Sequence, residues 1–144
     1  MKVRQNLFII ILILIAGQVS AESQFSIRRQ DRRGNLSALH LTCTNKETSI
    51  VDCKVWRTVG DQSEPSHKFE GSKAKIFFED CKLRLKTFSK SKISSKPPHL
   101  QWSLIYDGSD WFGGTETSNA KTEKELLISL LAIESQLSDS LDDK

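Results

Sequence analysis

Residues 39–55 read LHLTCTNKETSIVDCKV, and this stretch decides the expected fold. Apolar residues alternate with polar ones from Leu39 to Cys43 and again from Val51 to Val55. A period of two is typical of strands that bury one face. The residues between these runs, Thr44 to Ile50, are mostly polar and favour a turn. The stretch therefore predicts a β-hairpin.

Such a hairpin predicts how the cysteines pair. Cys43 would lie opposite Cys53 on the apolar face, and directly opposite residues have Cβ atoms about 4.5–5.5 Å apart. That separation allows a disulfide after a slight adjustment. We therefore expect a Cys43–Cys53 disulfide, with Cys81 left unpaired. A bridge from Cys81 to either of the others, or three free thiols, is the alternative.

Residues 1–21 have the order of a secretory signal peptide. Lys2 and Arg4 precede the apolar run LFIIILILIA, and small residues precede a cleavage point after Ala21. A helix that spans a bilayer needs about 20 apolar residues, so this shorter run argues against an anchor. We expect cleavage after Ala21, release to the periplasm or the medium, and no membrane span in the mature chain.

The charge of the mature chain limits its partners. Two of the 21 basic residues leave with residues 1–21, so 19 basic and 18 acidic residues remain. A net charge of +1 gives no strong nucleic-acid signal. The charge is uneven, because residues 22–96 carry 16 basic and 9 acidic residues whereas residues 97–144 carry 3 and 9. Either the two parts attract each other, or a basic surface meets an anionic partner.

Two helices and a second hairpin complete the expected fold. Apolar residues recur at helical spacing from Lys73 to Ser89, with Ser72 as the expected N-cap, and again from Leu126 to Leu141 after Thr122, which opens a capping box. Alternation from Leu100 to Tyr106 predicts a strand, and the following Asp-Gly pair predicts a two-residue turn.

Together these elements predict an α+β fold. We expect a small antiparallel sheet of four to five strands with two amphipathic helices packed on one face. Residues 22–144 would form a single domain. Residues 89–98 are rich in Ser, Lys and Pro and predict an exposed linker or loop. The polar residues 138–144 predict a frayed tail.

The candidate interaction surface consists of aromatic, apolar and basic residues. Aromatic residues of the second hairpin would form a contact platform for a carbohydrate or a protein unless they pack under the helices. Two apolar residues fall on the charged side of the first helix, and four arginines cluster near residue 30. These residues are Trp102, Tyr106, Trp111, Phe112, Ile76, Leu83, Arg28, Arg29, Arg32 and Arg33.

The sequence predicts no catalytic residue, no metal site and no cofactor. It lacks zinc-ligand spacing, a nucleophile elbow and a Gly-rich phosphate loop. The histidines, His40, His67 and His99, are scattered. We therefore favour a non-enzymatic binding protein with an unknown protein or an anionic surface as its partner. The alternatives are a secreted inhibitor or effector that acts on another protein, and a small hydrolase with unrecognised residues.

Overall fold

The computed structural model describes residues 22–47, 49–89, 100–114 and 120–142. The strands are β1 Glu22–Gln30, β2 Leu36–Lys46, β3 Ser49–Val59, β4 Gln62–Ser63, β5 His67–Phe69, β6 Leu100–Tyr106 and β7 Ser109–Gly114. The helices are α1 Gly71–Leu85, which continues as a 3-10 turn over Lys86–Phe88, and α2 Ala120–Asp142. The predicted signal peptide, most of the predicted 89–98 loop and His99 lie outside the described residues.

The strands form one antiparallel sheet, and the fold class is α+β as predicted. The strand order is β4-β3-β2-β1-β6-β7, and β5 pairs with another part of β3. The described residues therefore supply seven strands, and the prediction of four to five was too low. The additional strands, β4 and β5, are two and three residues long. A hydrophobic period cannot be recognised over so few residues.

The predicted hairpin and disulfide are confirmed. β2 and β3 pair along their length, Cys43 faces Cys53 with a Cα–Cα distance of 4.1 Å, and the two are joined by a disulfide. The second predicted hairpin is formed by β6 and β7, and Leu104 pairs with Trp111. Its turn residues both have positive φ, as a type I′ turn requires, and Gly108 adopts this conformation without strain.

Alternation along the strands gives the sheet one apolar face, and both helices pack there. α1 and α2 bury an apolar stripe against the inward residues of the strands. The sheet contributes Phe25, Ile27, Leu39, Leu41, Cys43, Cys53, Val55, Phe69, Leu100, Trp102 and Leu104. The helical segments contribute Ala74, Phe77, Phe78, Cys81, Leu85, Phe88, Leu126, Leu130, Ile133, Leu137 and Leu141. The other face of the sheet carries mainly polar residues.

The ends of the helices differ from the sequence expectation. α1 begins at Gly71, with Glu70 rather than Ser72 as its N-cap residue. Gly71 touches the backbone of Ile50, and a Cβ at this position would collide with the carbonyl oxygen of Ile50. α2 continues to Asp142 rather than fraying from residue 138. Leu141 extends the apolar stripe into the core, so burial keeps this last turn helical.

Ion pairs join the basic N-terminal part to the acidic C-terminal part. Arg29 on β1 forms a bidentate salt bridge with Glu134 on α2, in which two guanidinium nitrogens each donate to one carboxylate oxygen. Lys82 on α1 lies 3.1 Å from Asp107 in the β6–β7 turn. These two ion pairs use some of the excess positive charge of the N-terminal part to bind the acidic C-terminal part. Neither described helix is both long and apolar enough to cross a membrane.

We predict that loss of the Cys43–Cys53 disulfide destabilises the protein. The bridged residues are 10 apart in sequence, and in the chain-entropy model a loop of this size contributes about 3 kcal/mol to the free energy of unfolding. Urea unfolding of the double variant Cys43→Ala/Cys53→Ala should show that loss. Reduced wild-type protein is the control and should match the variant. Equal stability of oxidised and reduced wild-type protein would contradict the prediction.

We predict opposite outcomes for two leucines of α1 that are two residues apart. Leu85 is fully buried, whereas Leu83 is 82% exposed. Leu85→Ala should lower the free energy of unfolding by about 2–5 kcal/mol because it leaves a cavity. Leu83→Ala should change it by about 0.5 kcal/mol or less, as exposed substitutions usually do. Denaturant unfolding measures both, and similar losses would show that α1 is rotated from the described position.

Candidate functional site

The candidate site is the face of the sheet on which no described helix packs, called the helix-free face below. Strand pairing places five of its side chains in one row across β3, β2, β1, β6 and β7. In that order the residues are Trp56, His40, Ser26, Ser103 and Phe112. Neighbouring strands are about 4.8 Å apart, so the row extends over about 19 Å. Aromatic rings therefore lie at both ends of the row, with hydroxyl groups between them.

The β3 end of the row is a stacked pair of rings. The His40 and Trp56 rings are nearly parallel, with centroids 5.0 Å apart. The Nε2 atom of His40 lies 3.3 Å from the Thr58 hydroxyl oxygen. Burial lowers the pKa of His40 below its ordinary value, because a charged imidazolium loses solvation there. The stack is therefore held as a neutral, half-buried platform.

The middle of the row is a shallow concavity. The Ser103 hydroxyl donates to the Ser26 hydroxyl over 3.4 Å. Their short side chains leave a cavity of about 320 Å³ that also contacts Arg28, Gln101 and Phe112. The Phe112 ring stands at its edge and is 49% exposed. The cavity thus offers a guanidinium, two hydroxyls, an amide and an apolar ring.

Arg28 contributes the charge of the cavity. Arg28 is exposed on the helix-free face, and among the described residues no carboxylate pairs with it. Its neighbour Arg29 points to the opposite face and binds Glu134. Arg57 and Arg84 also have carboxylate partners, Glu64 and Asp80. Arg28 is therefore the strand arginine whose guanidinium remains available to an external anion.

Most of the aromatic residues predicted to form a surface face the helices instead. Trp102 is 2% exposed, and its indole lies against Gly113, where a Cβ would be only 2.8 Å from Nε1. Trp111 is half-buried against the core. Tyr106 stacks on Phe78 and donates to Glu79 over 2.8 Å. Burial and this hydrogen bond raise the pKa of Tyr106 to about 12, so its hydroxyl remains protonated.

The other predicted surface residues are exposed but separated. Ile76 and Leu83 are 72% and 82% exposed on the outer side of α1. Arg32 and Arg33 are exposed in the β1–β2 connection. Among the ten predicted surface residues, the cavity on the helix-free face therefore brings together Arg28 and Phe112, with only the buried Trp102 beside them.

Sequence reasoning missed the remaining residues of the row. Ser26, His40 and Trp56 lie at the positions that alternate with the buried residues of their strands. That alternation indicates which residues face away from the core. It does not indicate that Ser26 pairs with Ser103, because these residues are 77 positions apart. A prediction of strand order would have been needed.

The geometry also locates the groups considered for catalysis. His40 lies on the helix-free face, whereas His67 pairs with the buried Val55 and so faces the helices. In the described part of the chain, no three His, Cys, Asp or Glu residues are placed to hold a metal ion. Cys81 is free and buried, and burial raises the pKa of its thiol. A thiol of this kind is chemically inert.

The chain was also compared with known proteins. No protein-family model matches it, and neither a curated protein nor a solved structure matches it. The case for a function therefore depends on the geometry of the helix-free face.

We predict that His40 titrates below the ordinary histidine value of about 6.5. Because its pKa is lower in the folded state than in the unfolded state, its contribution to stability is present above about pH 6.5 and is lost as the pH falls. NMR titration of the His40 ring measures the pKa, with His40→Gln to assign the resonance. A pKa at or above 6.5 would contradict the described burial of the ring.

Proposed function

We propose that residues 22–144 form an exported single-domain binding protein that does not catalyse a reaction, and that the helix-free face of the sheet is its binding surface. The observation that carries this proposal is the cavity beside Arg28, with an unpaired guanidinium and a half-exposed Phe112 ring on one face. The disulfide supports export, because such bonds persist in oxidising compartments. The predicted signal peptide at residues 1–21 supports the same destination.

The energies of these contacts would make binding at the cavity selective. Covering the exposed half of the Phe112 ring would contribute roughly 1 kcal/mol, from the usual value for burying a large apolar side chain. A hydrogen bond to a charged group contributes about 1.5–3 kcal/mol. Each 1.4 kcal/mol corresponds to a tenfold change in affinity. These contacts would therefore let the face discriminate between ligands.

A second candidate function, an inhibitor or effector that acts on another protein, is favoured by the outer side of α1. Ile76 and Leu83 are seven residues apart, two helical turns, and both are largely exposed. Lys73, Lys75 and Lys86 are exposed on the same helical segment. Two exposed apolar residues on one side of a helix would suit a protein partner with a matching apolar pocket. This surface is separate from the helix-free face, so the two candidates can be tested independently.

The hydrolase alternative gains no support from the position of His40. Its Nε2 atom lies near Thr58 on β3, whereas Ser26 is on β1, at the other side of β2. A nucleophilic serine needs a base within about 2.6–3.2 Å and a third group that orients the base. No hydrogen bond joins His40 to Ser26 or to a carboxylate among the described residues. We do not propose a hydrolase.

We predict that a photo-cross-linker on the helix-free face captures the binding partner in cells that export the protein. The cross-linking residue p-benzoylphenylalanine would replace Phe112, and in a control variant it would replace Leu83 on α1. Benzophenone reacts with C–H bonds of proteins and glycans alike. We expect an adduct of increased mass from position 112 and none from position 83.

A blocking substitution completes this experiment. Ser103→Trp would fill the cavity and should abolish the adduct from position 112, while circular dichroism confirms that the sheet is intact. An adduct from position 83 alone would favour the second candidate. Absence of an adduct from position 112, or an adduct that Ser103→Trp leaves unchanged, would overturn the proposed binding surface.

A further inference from the structure

We propose that the helix-free face binds an acidic oligosaccharide, with Arg28 holding the carboxylate of one sugar residue. This inference rests on the proposed function and names the class of ligand for the same surface. It follows from three properties of the face: an unpaired guanidinium, a cavity lined by small polar groups, and aromatic rings at both ends of the row.

The guanidinium indicates the charge of the ligand. Arg28 borders the cavity of about 320 Å³, and no described carboxylate neutralises it there. A guanidinium presents a planar fork of donors that matches the two oxygens of a carboxylate. On the same face Asp110 lies on β7, two residues from Phe112 and paired with Ile105 rather than with Gln101. Asp110 would repel an acid group at its own end of the face and so favours placement at Arg28.

The groups around Arg28 indicate a sugar rather than a bare anion. Ser26 and Ser103 supply hydroxyls that donate and accept, and Gln101 supplies an amide that does both. The half-exposed Phe112 ring supplies an apolar surface beside them. A sugar ring carries hydroxyls at its edge and C–H bonds on its faces, so it matches this mixture. A few polar groups beside an aromatic wall are typical of small-molecule sites.

The length of the row indicates a chain of sugars. The cavity lies near the β7 end, whereas the His40–Trp56 stack lies at the β3 end. The row covers about 19 Å at the usual strand spacing, which exceeds the size of one sugar ring. A linear oligosaccharide along the row would contact Phe112 at one end and Trp56 at the other.

The centre of the face argues against a protein partner. The cores of protein–protein interfaces are enriched in aromatic residues and depleted in serine. Here the order is reversed, because Ser26 and Ser103 lie at the centre and the aromatic rings lie at the ends. A hydrophilic, elongated ligand fits that distribution better than a folded protein does.

The test measures binding by calorimetry to the mature chain, residues 22–144, with three acidic probes: tetragalacturonate, a mannuronate tetramer and a hyaluronan tetrasaccharide. We expect saturable binding to at least one, and binding at least tenfold weaker to its neutral methyl ester. Arg28→Gln should weaken binding of the acid at least tenfold and weaken binding of the ester by a smaller factor. Arg32→Gln is the matched control, since Arg32 is exposed in the β1–β2 connection, and it should bind as the wild type does.

Three results would overturn the inference. These are no saturable binding to any of the three acids, equal binding of acid and ester, or equal loss from Arg28→Gln and Arg32→Gln. Poly-L-glutamate is tested as well. If it binds as tightly as the best acidic sugar and Arg28→Gln weakens that binding, the ligand is an acidic peptide, which would also overturn the inference. In each case the cross-linking from position 112 decides separately whether the helix-free face is a binding surface at all.

Discussion

The structure depends on one constraint, the alternation of apolar and polar side chains along β1, β2, β3 and β6. Because successive side chains point to opposite faces, the alternation sends Phe25 and Ile27 to one face and Ser26 to the other. A shift of one residue in the pairing would exchange the faces and expose the core. The Cys43–Cys53 disulfide fixes this register covalently between β2 and β3. Both described helices then pack on the apolar face, and no described helix covers the opposite face.

The same constraint separates the aromatic residues into two groups with different roles. Trp102 and Tyr106 on β6 share the phase of Leu104, so they pack with the helices and stabilise the core. On β7, Phe112 pairs with Ser103 rather than with a core residue of β6, so its ring lies on the helix-free face. Gly113 belongs to the core side, where the Trp102 indole occupies the space of a side chain. The second hairpin therefore presents one aromatic ring, Phe112, on the helix-free face rather than an aromatic platform.

Local patterns predicted the elements that are long enough to show a period. The β2–β3 hairpin, the β6–β7 turn and the amphipathic stripe of α1 all follow from contacts between residues close in sequence. The short strands β4 and β5 have no such period, since pairing with β3 alone makes them strands. The candidate site was not predictable, because it depends on β1 lying between β2 and β6. That order brings residues separated by 77 positions into contact, and no local pattern encodes it.

The arginines show why net charge was a poor guide to a binding surface. Arg28 and Arg29 are adjacent in sequence, and their charges are identical. Strand geometry turns Arg29 toward α2, where Glu134 neutralises it, and turns Arg28 toward the cavity. Lys82 is likewise paired, with Asp107, so part of the N-terminal excess of positive charge is neutralised inside the fold. An anion in the cavity would therefore respond to the position of Arg28, the cationic residue that lines it, because the two oppositely charged parts largely cancel at longer range.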